Sequence, residues 1–294
     1  TPTGEPALIG GAYQIATGGE LRWFSEKAKE IPDVSAVLTG DISIAGENWI
    51  PIGSAETPFA GSFDGAGHSV SGLTIQSDEN YQALFGYVGA NASVQNLTVS
   101  GSVDAGGSYV AGVIAYSEAN VSNLHNRCKV TASGQYVAGV VGAAASGCTI
   151  SGCTNSGSVY SSSASGSAYV GGVVGGKGCT VVDCENSGSV QGYGYVGGVV
   201  GHAGKVANCK NSGRVQCVKQ YGGGVAGQAS SVSGCENSAT VTVSGEFVET
   251  RAWYEASYIG GVVGSASSAS ECVNRGAVSG RTSGVSHFAS VAGV

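Results

Sequence analysis

The sequence carries little charge and no basic cluster, and these absences exclude several classes of protein. Charged residues make up 11% of the chain, less than half of the roughly 25% of an average globular domain. The net charge is −7, and no segment concentrates lysine and arginine, so we expect no nucleic-acid partner. No apolar run reaches the length of about 18 residues that a membrane helix needs. We therefore expect no membrane span in this segment.

Methionine is also absent, and the chain begins at Thr1. A chain of this kind is typical of a mature or trimmed segment. The last repeat described below also stops partway. We therefore expect further domains of the same polypeptide outside this segment.

Catalytic and metal-binding motifs are missing as well. No H-E-x-x-H occurs, because Ser, Asn, Ala and Phe follow the four histidines His68, His125, His202 and His287. Two cysteine pairs, Cys148/Cys153 and Cys179/Cys184, have the spacing C-x4-C rather than the C-x2-C of zinc sites. Threonine recurs in no column, so an ice-binding surface is not predicted. We expect no cofactor and no metal.

The chain does contain one sequence motif that is repeated many times. The strings "YVGGVVGGKGCTVVDCENSGSV" from Tyr169 and "YVGGVVGHAGKVANCKNSGRV" from Tyr195 are nearly identical. Internal repetition at a fixed period indicates a repeat architecture. We place the starts of the copies at Ala83, Tyr109, Tyr136, Tyr169, Tyr195, Tyr221, Tyr258 and Ser290. The basic unit is therefore about 26 residues long, with insertions.

Four columns recur within the copies. A glycine follows the first residue by three positions: Gly86, Gly112, Gly139, Gly172, Gly198, Gly224, Gly261 and Gly293. A later column reads Leu97, Leu124, Cys153, Cys184, Cys209, Cys235 and Cys272. Two residues beyond it stand Asn126, Asn155, Asn186, Asn211, Asn237 and Asn274. A valine closes each unit: Val103, Val130, Val159, Val190, Val215, Val241 and Val278.

These units are rich in Gly, Val, Ser, Thr and Asn, which disfavour helices. Short apolar runs bounded by turn residues predict strands, and about 26 residues can wrap once around a core as three short strands. We predict an all-β, right-handed parallel β-helix in which equivalent residues stack at about 4.8 Å. The cysteines then form an inner ladder and the asparagines a hydrogen-bonded corner ladder. The glycine column requires either a positive φ or a close backbone approach.

The cysteines allow other interpretations. Stacked coils suit a disulfide poorly, and Cys148 with Cys179 is the pair that suits it best. Glu185 and Glu236 share one column two coils apart, as an acid–base pair of a glycan-cleaving enzyme would, but Lys210 and Thr154 lie in the same column. We interpret this column as a solvated face.

One insertion, "SGEFVETRAWYEASY" from Ser244, carries aromatic and charged residues. Arg251, Trp253 and Tyr254 are residue types enriched in binding hot spots, so we take them as candidate ligand-binding residues. The alternative is that Phe247, Trp253 and Tyr254 fold back over the solenoid wall.

The first 82 residues differ from the rest. "TGGELRWFSEKAKEI" places Leu21, Phe24, Ala28 and Ile31 at helical spacing, and a solenoid needs a cap over its open end. We predict a helix at about Glu20 to Ile31. The domain organisation is then residues 1–82 as the N-terminal cap and first coils, and residues 83–294 as the repeat solenoid with a truncated last repeat.

The segments "AYQIATGGELRWFS", "LTGDISIAGENWIPIGSAETPFAGSFDGAGHSVSGLTI" and "ALFGYVG", with the "GGVVG" cores, resemble bacterial surface proteins that carry GLUG repeats. We expect an extracellular or cell-surface location and host glycan or protein as a partner. The resemblance implies a β-helical, secreted or wall-attached segment of a larger bacterial protein, often adhesin-like. Some such proteins are IgA-directed metallopeptidases with a separate catalytic domain. We expect a noncatalytic stalk and display scaffold. The alternatives are a β-helical glycan lyase or hydrolase, or an accessory region of a secreted protease.

Overall fold

Residues 4–243, 257–280 and 289–292 are described by a computed structural model. In these residues the chain is a parallel β-solenoid of about seven turns, each of roughly 28 residues, with one helix near the N-terminus. The predicted β-solenoid with an N-terminal helix is confirmed. The mean turn exceeds 26 residues because insertions lengthen individual coils, such as the one between Ser161 and Tyr169.

The helix runs from Gly18 to Glu30. Its start is fixed by a capping box, in which the side chain of Thr17 accepts from the Glu20 amide and the Glu20 carboxylate accepts from the Thr17 amide. Leu21, Phe24 and Ala28 are buried on one face. The inclusion of Ile31 in that face was wrong: it is the C-cap residue and is 42% exposed, because the helix ends one residue earlier than the spacing suggested.

The helix covers the N-terminal end of the core. The Phe24 ring lies 6.2 Å from the ring of Phe59 and 5.9 Å from that of Phe63, and Phe85 of the next coil continues the cluster at 5.4 Å from Phe59. These contacts close the end of the solenoid with aromatic side chains. The strands of this region are Ala7–Ile9, Ala12–Ile15, Ser35–Leu38, Ile42–Ser43, Ser62–Asp64 and Ser69–Ser77.

Each later coil crosses the same lines of strands. One line of strands follows the glycine column of the repeats. It contains Phe85–Val88, Ile114–Ser117, Val141–Ala144, Val174–Gly176, Val200–Ala207, Ala226–Ser233 and Val263–Ser270. The next contains Ser93–Ala105, Val121–Asn126, Thr149–Ser151 and Thr180–Val182. The asparagine line contains Thr154–Asn155, Glu185–Asn186, Lys210–Asn211, Glu236–Asn237 and Val273–Asn274.

The closing-valine line contains Lys129–Ala132, Val159–Ser161, Val190–Gly192, Val215–Cys217, Val241–Val243 and Val278–Gly280. A second sheet contains Val137–Ala138, Tyr169–Gly171, Tyr195–Gly197, Tyr221–Gly223, Ser257–Gly260 and Ala289–Ala292. Strands of successive coils pair in parallel, whereas Ala7–Ile9 and Ala12–Ile15 form an antiparallel hairpin. Parallel pairing in register is what places equivalent residues of successive coils on top of one another.

The strand register places equivalent residues of successive coils next to one another. Val190 pairs with Val159 on one side and Val215 on the other, and these valines are buried. The cysteine column is buried in the same way from Cys153 to Cys235, whereas Cys272 is partly exposed. All nine cysteines have free thiols in the structure. This column of the interior therefore changes from the leucines Leu97 and Leu124 to a row of smaller cysteine side chains.

The asparagine ladder, Asn126, Asn155, Asn186, Asn211, Asn237 and Asn274, runs along one corner. From Asn126 to Asn237, each Nδ2 donates to the Oδ1 of the next asparagine at 2.7–2.9 Å. The same Nδ2 also donates to the carbonyl two residues along its own chain, as Asn186 does to Gly188 at 2.7 Å. The amides thus form one directional chain of hydrogen bonds along the solenoid.

The structure corrects the alignment of the first copy. Gln82 bridges Val110, so Tyr81 aligns with Tyr109, and the copy starts at Tyr81 rather than Ala83. Phe85 pairs with Ile114, which in turn pairs with Val141. Gly86 therefore aligns with Gly142 and not with Gly112. The sequence comparison matched the wrong glycine because the first copy has Leu84 at the position that Gly112 occupies in the next copy.

Candidate binding face: a tyrosine ladder along the solenoid

Seven tyrosines stack in a row along the solenoid, and the last four lie in strands of the second sheet. We call this set the tyrosine ladder: Tyr81, Tyr109, Tyr136, Tyr169, Tyr195, Tyr221 and Tyr258. Neighbouring ring centroids are 4.7–5.2 Å apart, and their planes differ by 5–20°. The spacing is set by the backbone, since adjacent strands of a sheet lie about 4.8 Å apart.

The tyrosines up to Tyr221 are half-buried, and Tyr258 is 40% exposed. Because each inner ring is covered on both faces by its neighbours, the ladder offers a ligand the ring edges and the phenol hydroxyls. A phenol hydroxyl both donates and accepts hydrogen bonds. The face is thus a row of polar groups on an aromatic wall, rather than a set of open aromatic platforms.

A second, shorter row of aromatic side chains lies beside the ladder. Tyr87 and Tyr116 lie on the adjoining strand line, 4.8 Å apart, and Tyr116 packs edge-on against Tyr109. The Tyr87 hydroxyl donates to the Glu118 carboxylate at 2.6 Å. Burial and this contact with Glu118 raise the pKa of Tyr87 well above its usual value. The Tyr87 hydroxyl therefore stays protonated across the physiological pH range.

The short row ends at Tyr116. In the next two coils the equivalent positions are Ala143 and Gly176, which carry no ring. Lys177 fills this gap. Its Nζ lies 4.6 Å from the ring centroid of Tyr116, 5.0 Å from that of Tyr109 and 5.3 Å from that of Tyr136, within the range of a cation–π contact. The ladder therefore already holds one ammonium group of this chain.

Burial of the phenols has an electrostatic consequence along the ladder. Desolvation raises the pKa of five of them, and neighbouring tyrosines add to the effect: Tyr81, Tyr136, Tyr169, Tyr195 and Tyr221. Burial lowers the pKa of His202, whose ring packs edge-on against Tyr169 and Tyr195. Because this lowered pKa disfavours a charge on His202, Lys177 is the positive charge of the aromatic face among the residues described above.

The candidate loop residues Arg251, Trp253 and Tyr254 lie outside the described residues, as do Phe247 and His287. The proposal that this loop binds a ligand therefore stays a prediction.

The acidic column lies on a different face. The backbone of Lys210 pairs with that of Glu185 in one neighbouring coil and that of Glu236 in the other, and Glu236 forms an ion pair with Arg275. Lys210 therefore stands between the two glutamates in this column, where glycoside cleavage would need an open substrate site between two carboxyl groups. These residues form a charged row on the solenoid wall, in which Glu185, Lys210 and Arg275 are exposed.

The histidines that the structure describes are dispersed. His68 lies 3.6 Å from Asp41, His125 Nδ1 lies 2.8 Å from the Thr154 hydroxyl, and His202 belongs to the tyrosine face. In residues 4–243, 257–280 and 289–292, no group of three or more His, Cys, Asp or Glu side chains converges as metal ligands do. In the same residues, no helix is long and apolar enough to cross a membrane.

Comparison with known proteins identifies the repeat. The family model of the GLUG motif matches residues 192–216, which form one complete turn of the solenoid. The equivalent turns on either side carry the same glycine, cysteine, asparagine and valine columns. Residues 192–216 of this chain are therefore a GLUG motif.

The chain is also similar to a protein of Evansella cellulosilytica that is provisionally named a Gly-rich membrane protein. The two are 38% identical over 65 residues, or 22% of this chain and 8% of that protein. A crystal structure from Bacteroides ovatus, provisionally named an immunoglobulin A1 protease, has the same fold with a TM-score of 0.68. It is 20% identical to this chain, and the match covers 88% of this chain and 84% of that one.

The tyrosine ladder was missed at the sequence level although its signal was visible. Tyr109, Tyr136, Tyr169, Tyr195, Tyr221 and Tyr258 each open a copy, and they served there only as alignment markers. Recurrence of a large polar aromatic residue at one position of a solenoid coil is itself evidence for a stacked surface row. Lys177 gave no such signal, because its contacts reach to other coils.

Proposed function

We propose that this GLUG-repeat chain is a noncatalytic segment of a bacterial surface protein that serves as a rigid stalk and display scaffold. The observation that carries the proposal is the continuity of two ladders across the same coils. The asparagine ladder links Asn126 to Asn274 inside the wall, and the tyrosine ladder links Tyr81 to Tyr258 outside it.

Continuous ladders favour stiffness. Each coil contacts its neighbours, so bending the solenoid opens a coil interface and breaks an asparagine hydrogen bond inside a buried wall. Loops then project from a wall that keeps them at fixed spacing. A stalk needs this property, whereas an enzyme needs a cleft in which catalytic groups converge.

A location at the bacterial surface is part of the proposal. Support comes from the GLUG motif and from the E. cellulosilytica relative, which is named a membrane protein. The division into residues 1–82 as cap and first coils and residues 83–294 as repeat solenoid is also proposed. The helix Gly18–Glu30 over the core end supports it.

Small-angle X-ray scattering on the purified chain tests the stalk proposal. We expect a rod whose long axis includes about 30 Å for the six steps of the tyrosine ladder, plus the N-terminal coils, with no flexible bend. A scattering curve that requires several bent conformers would contradict it.

We also propose that the segment from Ser244 to Tyr258 binds a host glycan or protein. A glycan and host-protein array compares the full chain with a variant that lacks residues 244–257. We expect binding by the full chain and its loss in the variant. Binding that survives the deletion would remove Arg251, Trp253 and Tyr254 as the binding residues.

A role beside a protease is the second candidate, and the shared fold with the B. ovatus protein, named for immunoglobulin A1 cleavage, favours it. Incubation of this chain with immunoglobulin A1 and with neutral and acidic polysaccharides tests whether the chain itself is catalytic. We expect no cleavage of either substrate by the purified chain. Product formation would overturn the noncatalytic proposal.

A further inference from the structure

The N-terminal end of the tyrosine ladder differs from its interior. Tyr81 stacks on Tyr109 at 4.7 Å with planes 5° apart. Among the described residues, no ring stacks on the opposite face of Tyr81; Tyr87 contacts it at a tilt of 53°. Tyr81 lines a groove of about 570 Å³ whose far wall is the segment from Ile50 to Thr57. One aromatic face of the ladder is therefore available to a ligand.

The groove is acidic. Glu56 and Glu79 line it, and both are exposed. Within the described part of the chain, no lysine or arginine forms an ion pair with either carboxylate; Lys29, also at the groove, lies 2.7 Å from Glu26. Desolvation is the largest cause that raises the pKa of Tyr81, followed by the neighbouring Tyr109; the charge of Lys177 lowers this pKa, and Tyr116 and Glu56 raise it further. A positive charge in the groove would offset the two carboxylates.

The groove also has an apolar shelf. Ile50 is 61% exposed and lies at its edge beside Pro51. Lysine and arginine side chains combine a methylene stem with a charged head, so they cover apolar surface while the head reaches polar partners. The apolar shelf matches the methylene stem of such a side chain, and the aromatic face and the two carboxylates match its charged head.

The interior of the same ladder shows that its rings hold an ammonium group, since Lys177 lies over Tyr109, Tyr116 and Tyr136. At the Tyr81 end, the chain supplies the ring and the carboxylates without an equivalent lysine over the ring in the described residues. The net charge of −7 also favours the approach of a basic partner.

We propose that the groove formed by Tyr81, Ile50, Glu56 and Glu79 binds a lysine or arginine side chain of a partner protein. The cationic head lies over the free face of Tyr81 and against the two carboxylates, and the methylene stem lies on Ile50. The site is independent of the stalk function, so failure of either proposal leaves the other standing.

The test is an NMR titration of the full chain, labelled on its tyrosine rings, with the tripeptide Ac-Gly-Lys-Gly-NH2. We expect shifts of the Tyr81 signals, assigned with a Tyr81→Phe variant, and weaker binding at higher salt. The isosteric norleucine tripeptide, which lacks the charge, should cause no such shifts. The double variant Glu56→Gln/Glu79→Gln should raise Kd for the lysine peptide by about tenfold or more.

The matched control is Glu185→Gln, an exposed glutamate on another face, which should leave Kd unchanged. Both glutamates of the double variant are exposed, so the fold is retained, and thermal unfolding verifies it. Equal binding of the lysine and norleucine peptides, or an unchanged Kd in the double variant, would overturn the proposal. Tetramethylammonium binding tenfold more tightly than the peptide would reassign the groove to a small free cation and overturn the protein partner.

Discussion

The side-chain amide of Asn186 lies against the α-carbon of Gly172, in the space that a β-carbon on Gly172 would occupy. The backbone carbonyl of Gly198 in the next coil lies against the same position. The relationship repeats in the other coils, with these pairs: Gly112 and Asn126, Gly139 and Asn155, Gly198 and Asn211, Gly224 and Asn237, Gly261 and Asn274. None of these glycines has a positive φ, so close approach, and not backbone conformation, is the reason for the glycine column.

Replacing Gly172 with alanine should therefore destabilise the chain strongly. The new methyl group has no space between the Asn186 amide and the Gly198 carbonyl, so one of the two must move. We expect the free energy of unfolding to fall by at least about 2 kcal/mol, measured by urea denaturation. The control is Gly40→Ala, where a β-carbon meets nothing within 4 Å and the change should stay within about 0.5 kcal/mol. Equal effects would contradict the close-approach explanation.

Removing one member of the asparagine ladder should also destabilise it. In Asn186→Ala, Asn155 loses the acceptor of its 2.7 Å bond, and Asn211 Oδ1 and the Gly188 carbonyl each lose a donor. Because these groups are buried, we expect a loss of about 2–4 kcal/mol in the free energy of unfolding, measured by urea denaturation. Asn91→Ala, at an exposed asparagine, should change it by less than about 0.5 kcal/mol. A small effect at Asn186 would indicate that water replaces the ladder bonds.

The columns that the sequence predicted are those whose residue type recurs at a fixed offset. Asn155, Asn186 and Asn211 share one spacing from their cysteines, and a single physical cause, stacking, acts on every copy. The fold follows from that repetition because a register error would misplace every copy at once.

Contacts without such repetition were not predictable. Lys177 reaches rings two coils away, and its neighbours at the equivalent positions are different residue types. The groove at Tyr81 depends on the loop from Gly53 to Thr57, which belongs to the irregular first coils. The choice between positive φ and close approach for Gly172 needed the position of Asn186, which lies on another strand.

Buried thiols give a third prediction. Burial raises the pKa of Cys128, Cys179 and Cys217 to about 12, so their thiolate fraction at neutral pH is very small. In the native protein, we expect a thiol reagent such as DTNB to react rapidly with Cys272, which is partly exposed, and slowly with the buried cysteines. In denaturant without reductant, all nine thiols should react. Cys272→Ser should remove the rapid phase, and fewer than nine thiols in denaturant would reveal disulfides that the structure does not contain.

The tyrosine ladder predicts a loss of stability at alkaline pH. Desolvation, followed by neighbouring tyrosines, raises the pKa of Tyr169 and Tyr195 in the folded chain above the unfolded value of 10.0. The folded state therefore binds the phenol protons more tightly than the unfolded state. The resulting stabilisation is fully present below about pH 10 and is lost as the pH rises through the raised folded values.

Urea denaturation across this range should show a falling midpoint, and phenolate absorbance of the native chain should titrate later than that of the unfolded chain. The control is Tyr169→Phe, which keeps the ring in the stack and removes one hydroxyl. Its stability at neutral pH should be close to that of the parent, and its alkaline loss should be smaller, because one fewer buried phenol ionises. If the native and unfolded chains titrated at the same pH, the prediction would be wrong. The tyrosine hydroxyls would then be fully solvated in the folded chain, and burial would not raise their pKa.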